Sequence, residues 1–382
     1  GGAAHEPKEG ADWDRAPSVG VDLGQMCDSG VDDDDRPALV IDLGSSTSRI
    51  GYSGDEMPTV LLASVVGACP HSPAIFGDGI SASSDCELYF PVARGLVVDW
   101  SLVEQLWRHA FLDVMKLNPA EHCVMVAEPL LNPRASRDNM ASVLVETLGF
   151  SRIAFVLTSV AVGYASGRSE LLCLESGHGS TLVFPLWGGY VLPHACSRTP
   201  FAGQDITQHL SALLEARGVR LLEGARATKE VHCFIPARFR ELASKSDNSV
   251  RLADGTELTL DHGCLSCPEV MFSETRGRAV FGEHFCTIQD LVRNSIDRCD
   301  IDMRRDLAMN IVLAGGNTLF PGFSDRLSHE LNDTQPRPWF RVIAPPDRLN
   351  SCWFGASVKA SLKSCRFLTR DMLGSSEMYD FR

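Results

Sequence analysis

The chain lacks any long apolar run. Its longest, Ala154 to Ala165, is broken by Thr158, Ser159 and Gly163, and it falls short of the roughly 20 residues that a membrane-spanning helix needs. An excess of basic residues is also missing. The 35 Lys and Arg stand against 49 Asp and Glu, a formal net charge of −14, whereas binding along a phosphate backbone needs clustered cations. Membrane insertion and direct nucleic-acid binding are therefore excluded as expectations, and no secretory leader is legible. A second close cysteine pair is absent as well. Cys264 and Cys267 form a CxxC with His262 nearby, among 13 cysteines in all, but a structural zinc site takes about four ligands. The expectation is no metal site, two unrelated loop thiols at Cys264 and Cys267, and reduced, intracellular cysteines throughout.

What is present is ordinary globular material: 382 residues, 44% hydrophobic and 22% charged, enough for at least two lobes. Residues 1–37 are rich in Gly, Asp, Ala and Pro, include the run Asp32 to Asp35 and carry no sustained periodicity. They read as a disordered acidic tail. Order begins with the apolar strand Ala38-Leu-Val-Ile41, the turn Asp42-Leu-Gly44-Ser45-Ser46 and a second strand through Arg49 to Tyr52. The same grammar returns in Leu171 to Leu174, the turn Glu175-Ser-Gly177-His178-Gly179-Ser180, and Thr181 to Phe184. Two acidic, glycine-containing hairpins suggest a duplicated lobe whose turns expose backbone N–H groups. Between them, Leu102 to Leu112 and Asp138 to Leu148 repeat apolar residues at helical spacing. A third glycine turn, Ala314-Gly315-Gly316-Asn317-Thr318, follows the strand Ile311-Val-Leu313 and precedes Phe320-Pro-Gly322, the pattern of strand, turn and helix. Any one such turn merely closes a chain reversal in most proteins; three in this order are more specific.

The residues now carry a resemblance. Tyr164-Ala-Ser-Gly-Arg168, Gly189-Tyr-Val-Leu-Pro193, Ala202-Gly-Gln-Asp205, Cys267-Pro-Glu269, Asp300-Ile-Asp-Met-Arg-Arg-Asp306, Gly315-Gly-Asn-Thr-Leu-Phe-Pro-Gly322, Ala344-Pro-Pro-Asp-Arg348 and Trp353-Phe-Gly-Ala-Ser357 run collinear with actins and actin-related proteins. Over Ala38 to about Asp380 the chain resembles that superfamily. The resemblance implies an α/β, actin-like ATPase fold, with two duplicated α/β lobes around a nucleotide cleft. The first lobe would span 38–165 and 351–382, with a reduced subdomain 2 at about 64–90. The second would span 166–350, with subdomain 4 at about 202–272.

It also implies a site. Asp42, Gly44, Ser45, Ser46 and Arg49 stand at the first phosphate loop, and Glu175, Gly177 and Gly179 at the second. Asp205, Arg226, Lys229 and Glu230 stand toward the nucleoside, with Gly315, Gly316 and Asn317 at the third turn. The chain departs from the family here. Ser46 replaces a glycine and crowds the approach of backbone to phosphate, and Arg49 replaces a lysine with a wider planar head. Glu175 and His178 replace two Asp, Leu349 replaces a lysine, and Thr158 and Leu182 replace the Gln and His that position the attacking water. ATP or ADP is the implied ligand, magnesium is doubtful, no catalytic residue remains and hydrolysis is expected to be slow or absent. From pattern alone, Lys229 and Glu230 read rather as adjacent charges on a solvated helix; the resemblance favours their placement at the site.

Assembly is altered too. The region between Gly67 and Phe90 is shorter than the family pattern, and the apolar plug of actins reads as Ser273-Glu-Thr-Arg276-Gly-Arg278. Burying two unpaired guanidinium groups in a filament would be costly, so an actin-like homopolymer is not expected. Tyr164, Gly167, Gly189, Phe354, Val358 and Leu362 align with the groove between the lobes where actin partners dock. Phe354, Val358 and Leu362 also fit the core face of a helix. The resulting expectation is a non-catalytic structural or interaction subunit of a protein assembly, contacting proteins through the cleft and the acidic tail. Its expected setting is cytoplasmic and cytoskeletal, specialised germ-cell structures included. The alternatives are a slow ATPase or nucleotide switch, and a nuclear subunit of a chromatin-remodelling complex.

Overall fold

A computed structural model describes residues 36–68, 73–80, 86–219, 224–236, 248–251, 257–260, 262–333 and 339–379. The tail of residues 1–35, with its aspartate run, lies outside them.

Apolar segments too short for helices become buried strands, and they assemble twice into the same pattern. The first sheet runs Arg152–Leu157, Cys123–Glu128, Leu39–Leu43, Thr47–Tyr52, Val60–Ala63 in spatial order. Leu39–Leu43 pairs antiparallel with Thr47–Tyr52 and parallel with Cys123–Glu128. The second runs Tyr190–Val191, Thr181–Trp187, Leu171–Ser176, Ile311–Ala314, Val342–Ile343. Leu171–Ser176 likewise pairs antiparallel with its hairpin mate and parallel with Ile311–Ala314. A central hairpin flanked by two parallel strands thus occurs once in each lobe, which is the duplication expected from the two hairpins. The long apolar run splits: Arg152–Leu157 is strand and Thr158–Ser166 is helix.

That helix and its counterpart, Ser351–Ala360, pack against each other. A Cβ on Gly355 would overlap the backbone carbonyl of Ala161, so only glycine lets the two helices approach this closely. Trp353 is fully buried, and its indole N–H donates to the Val40 carbonyl at 3.1 Å, tying the helix to the first sheet. The helical spacing around Leu102 gives Trp100–Arg108, capped by the Asp99 carboxylate and continued as a π-helical turn over His109–Val114. The spacing from Asp138 is realised earlier, as Arg134–Ala141 and a π-helical turn over Ser142–Thr147.

In the reduced region, Ile75–Phe76, Val66–Ala68 and Glu87–Tyr89 form a small antiparallel sheet. The helices Gly203–Glu215 and Ala225–His232 are followed in the chain by the antiparallel hairpin of Asn248–Arg251 and Glu257–Leu260.

Three expectations are corrected. Cys264 and Cys267 are not loop thiols: both are buried in core, and Cys267 Sγ lies 3.7 Å from the Sγ of buried Cys233. Among the described residues ten cysteines are free, as expected, but Cys86 is disulfide-bonded. The guanidinium groups at Arg276 and Arg278 are not unpaired. They sit on the helix Glu274–Phe281, where Arg278 meets Glu274 one turn away at 2.7 Å and Arg276 also has a partner. Among the described residues, no helix is long and apolar enough to cross a membrane.

Candidate functional site

The three glycine turns converge on one cavity of about 550 Å³. The first lobe contributes Asp42, Gly44, Ser45, Ser46 and Arg49; the second contributes Glu175, Gly177, Gly179, Arg226, Lys229, Glu230, Gly315, Gly316 and Asn317. Gly315 has φ +85°, and a Cβ there would overlap the Ser176 carbonyl, so this turn demands glycine.

Strand register sets the charged floor. Asp42 faces Arg49 across the first hairpin, and Arg49 donates to the Asp42 carboxylate at 3.4 Å and to the Asn350 side-chain oxygen at 2.8 Å. Glu175 faces Leu182 across the second hairpin. Its two oxygens accept from the Thr158 hydroxyl at 3.2 Å and the Cys352 thiol at 3.6 Å. Burial, with the nearby Asp42 adding to it, pushes the Glu175 acid up to about 7 against the opposing pull of those donors and Arg49. His178 is held to about 4, first by burial and then by Arg226 and Lys229, so its imidazole is neutral at physiological pH.

The helix Ala225–His232 supplies the opposite wall. Lys229 is only 3% exposed and donates to the Gly203 carbonyl at 2.9 Å. Glu230 is bound by Arg226 at 2.8 Å. The picture of both residues on a solvated face therefore fails for Lys229 and holds in part for the exposed Glu230.

Asp205 does not line the cavity. It is the third residue of the helix Gly203–Glu215, accepts from the Ala202 backbone N–H at 2.9 Å and is gripped by Arg94. Sequence reading missed Arg94, Asn350 and Cys352. No periodicity marks them; Arg94 is signalled only by its place before Gly95 between two very short strands.

The residues present do not fit a divalent cation. Among the described residues, no three metal-ligating side chains gather. Asp42 is answered by a guanidinium, Glu175 by two neutral donors, and His178 faces cations. A nucleotide fits better: glycine turns offer backbone N–H groups, and Lys229 and Arg226 supply positive charge.

The partner-groove residues sit on neighbouring elements. Tyr164 lies on the helix Thr158–Ser166, which Gly167 ends at φ +62°. Gly189 lies in the turn after Thr181–Trp187 and donates to the Ser169 carbonyl at 2.9 Å. Along Ser351–Ala360 the buried residues are Ser351, Cys352, Trp353, Gly355, Ala356, Ser357 and Ala360, while Phe354 and Val358 stay half-buried, as does Leu362 beyond the helix. Val358 and Leu362 thus lie at the margin of the helix, while Phe354 packs against the core of Val40, Ala161 and Trp353.

Comparison with known families agrees with the duplicated sheets and the three turns. The family model described as Actin matches residues 33–225 and 223–371. With nearly the whole chain matched, and with the two-lobed fold that such a match implies, the chain belongs to the actin family.

Proposed function

We propose that the chain is a non-catalytic actin-like protein that serves as a structural or interaction subunit of a protein assembly, cytoskeletal in type. One observation carries this reading. By the family resemblance, Thr158 and Leu182 stand where the attacking water would be ordered, and both line the cavity. The Thr158 hydroxyl gives its one proton to Glu175 at 3.2 Å, which leaves it only as an acceptor on a short side chain, and Leu182 offers hydrocarbon. Hydrolysis of a phosphoanhydride needs an oriented nucleophile beside neutralised phosphates; Leu182 has no polar atom to offer a water, and no metal-ligating cluster gathers among the described residues.

What the fold retains is surface. The half-buried Tyr164, Phe354, Val358 and Leu362 form apolar margins around two packed helices, suited to an amphipathic partner helix. Germ-cell cytoskeletal structures are one setting for such a subunit. The second reading, a slow ATPase or nucleotide switch, draws on Glu175, whose acid at about 7 lies where a general base operates.

Size tests the subunit reading, and phosphate release tests the second one. In extracts of the native tissue, the endogenous chain should run on gel filtration as a stable complex well above its 41.6 kDa monomer. Val358→Asp should return it to the monomer position while still unfolding cooperatively in a melting curve. Migration of the native chain as free monomer would contradict the proposal.

A further inference from the structure

The pairing of charges in the cavity favours an anion and opposes a cation. The carboxylates that line it are Asp42, Glu175 and Glu230. Each is already engaged: Asp42 by Arg49, Glu230 by Arg226, and Glu175 by the Thr158 hydroxyl and the Cys352 thiol. The cations are not matched in the same way. Arg49 and Arg226 are ion-paired, but among the described residues Lys229, almost wholly buried, donates only to the Gly203 carbonyl, and the carboxylate acting on it, Glu230, is already held by Arg226. A buried ammonium answered by a neutral carbonyl keeps most of its charge uncompensated.

An incoming anion therefore gains Lys229 without breaking an ion pair. An incoming divalent cation must first separate Asp42 from Arg49, then reside beside the displaced guanidinium. That guanidinium lies under the first glycine turn, where a Cβ on Gly44 would stand 3.9 Å from its terminal nitrogen. It is thus placed where a metal would otherwise offset phosphate charge, and its planar fork suits phosphate oxygens.

We propose that this cleft takes its nucleotide without a divalent cation, with Arg49 and Lys229 as the built-in countercharge. The inference rests on the cleft being a nucleotide site at all. Metal-free binding makes the nucleotide a fixture of the fold rather than a timer set by hydrolysis.

The test is calorimetric titration of ADP into the full chain, once with millimolar magnesium and once with EDTA. The Kd should agree between the two buffers within about threefold, whereas a metal-bridged site would weaken in EDTA by about tenfold or more. Arg49→Gln, which frees the Asp42 carboxylate, should bind ADP about tenfold more weakly in EDTA and regain affinity with magnesium. Lys229→Gln leaves the Asp42–Arg49 pair intact and should weaken ADP to a similar degree in both buffers. Melting curves of each variant show whether it folds, and Arg49→Lys, which keeps the charge, should hold most of the wild-type affinity in EDTA.

Wild-type binding that requires magnesium would overturn the inference, as would undiminished binding by Arg49→Gln in EDTA. Absence of ADP binding in both buffers would overturn it too. That last result would leave the non-catalytic subunit reading intact, since complex size and phosphate release decide it separately.

Discussion

Arg94 and Asp205 join the two lobes through a two-pronged ion pair: the guanidinium nitrogens lie 2.5 and 2.8 Å from the carboxylate oxygens. Arg94 also donates to the Pro200 carbonyl at 2.7 Å, and its neighbour Gly95 donates its N–H to the Ser45 hydroxyl at 2.7 Å. The pair therefore stands beside the first glycine turn and spans the lobes independently of the packed helices.

Removing it should cost stability. The Arg94 side chain is 37% exposed and that of Asp205 9%, so solvent screening discounts the guanidinium's share, and Arg94→Ala should lose about 1–2 kcal/mol. Arg94→Lys should recover part of it, having charge without the fork. Urea denaturation of the three proteins measures the difference. Equal midpoints for wild type and Arg94→Ala would show that the pair contributes nothing.

The helix crossing should be far less tolerant. A Cβ at Gly355 would meet the Ala161 carbonyl, and backbone cannot yield as a flexible side chain does. Gly355→Ala should cost about 3 kcal/mol or more, in the range of severe overpacking. Thermal unfolding reads this directly, and a melting temperature within a degree of wild type would contradict the packing described.

Stability should also carry the signature of Glu175. Its acid stands near 4.5 in an unfolded chain and about 7 in the folded one. Between those values the folded state holds a proton that the unfolded state releases, so this group lowers stability as pH rises through the window. His178, depressed to about 4, works in the opposite sense, adding stability as pH rises toward 6.5. Comparing wild type with Glu175→Gln isolates the first effect. The variant should match wild type near pH 4 and exceed it by up to about 3 kcal/mol near pH 8. A difference that does not vary with pH would refute the assignment.

Filament formation should fail. On the helix Glu274–Phe281, Glu274 and Arg278 present an ion pair with side chains 62% and 46% exposed. Burying it in a longitudinal contact would desolvate both charges for little return. Under the salt and magnesium that polymerise actins, the chain should stay in the supernatant on ultracentrifugation. A pellet of long two-stranded filaments in electron micrographs would contradict this.

The sequence made the frame legible because its signals are local. Leu39–Leu43 and Leu171–Ser176 are buried strands bounded by glycine turns, and both features are written within a dozen residues. The third turn at Gly315 was equally plain, since only glycine adopts its backbone angle so near the Ser176 carbonyl. What stayed hidden depends on partners distant in sequence. Asp205 carries a motif position, yet its side chain is claimed by Arg94, 111 residues away. Cys267 read as one half of a CxxC, while its near neighbour is Cys233 from another element. Arg278 looked like a bare charge because its partner Glu274 emerges only once the segment coils into a helix. Phe354 and Val358 fitted a core stripe by spacing; Phe354 does pack against the core, but the close crossing at Gly355 leaves Val358 at the margin.

The central claim is that the cleft no longer performs chemistry, and steady-state phosphate release from ATP tests it most directly. With the Thr158 hydroxyl engaged by Glu175 at 3.2 Å and Leu182 only 5% exposed beside it, purified protein with magnesium and saturating ATP should release phosphate no faster than the buffer blank. Asp42→Ala should leave that baseline unchanged. A steady turnover above the blank that Asp42→Ala abolishes would contradict the account and establish the chain as an ATPase.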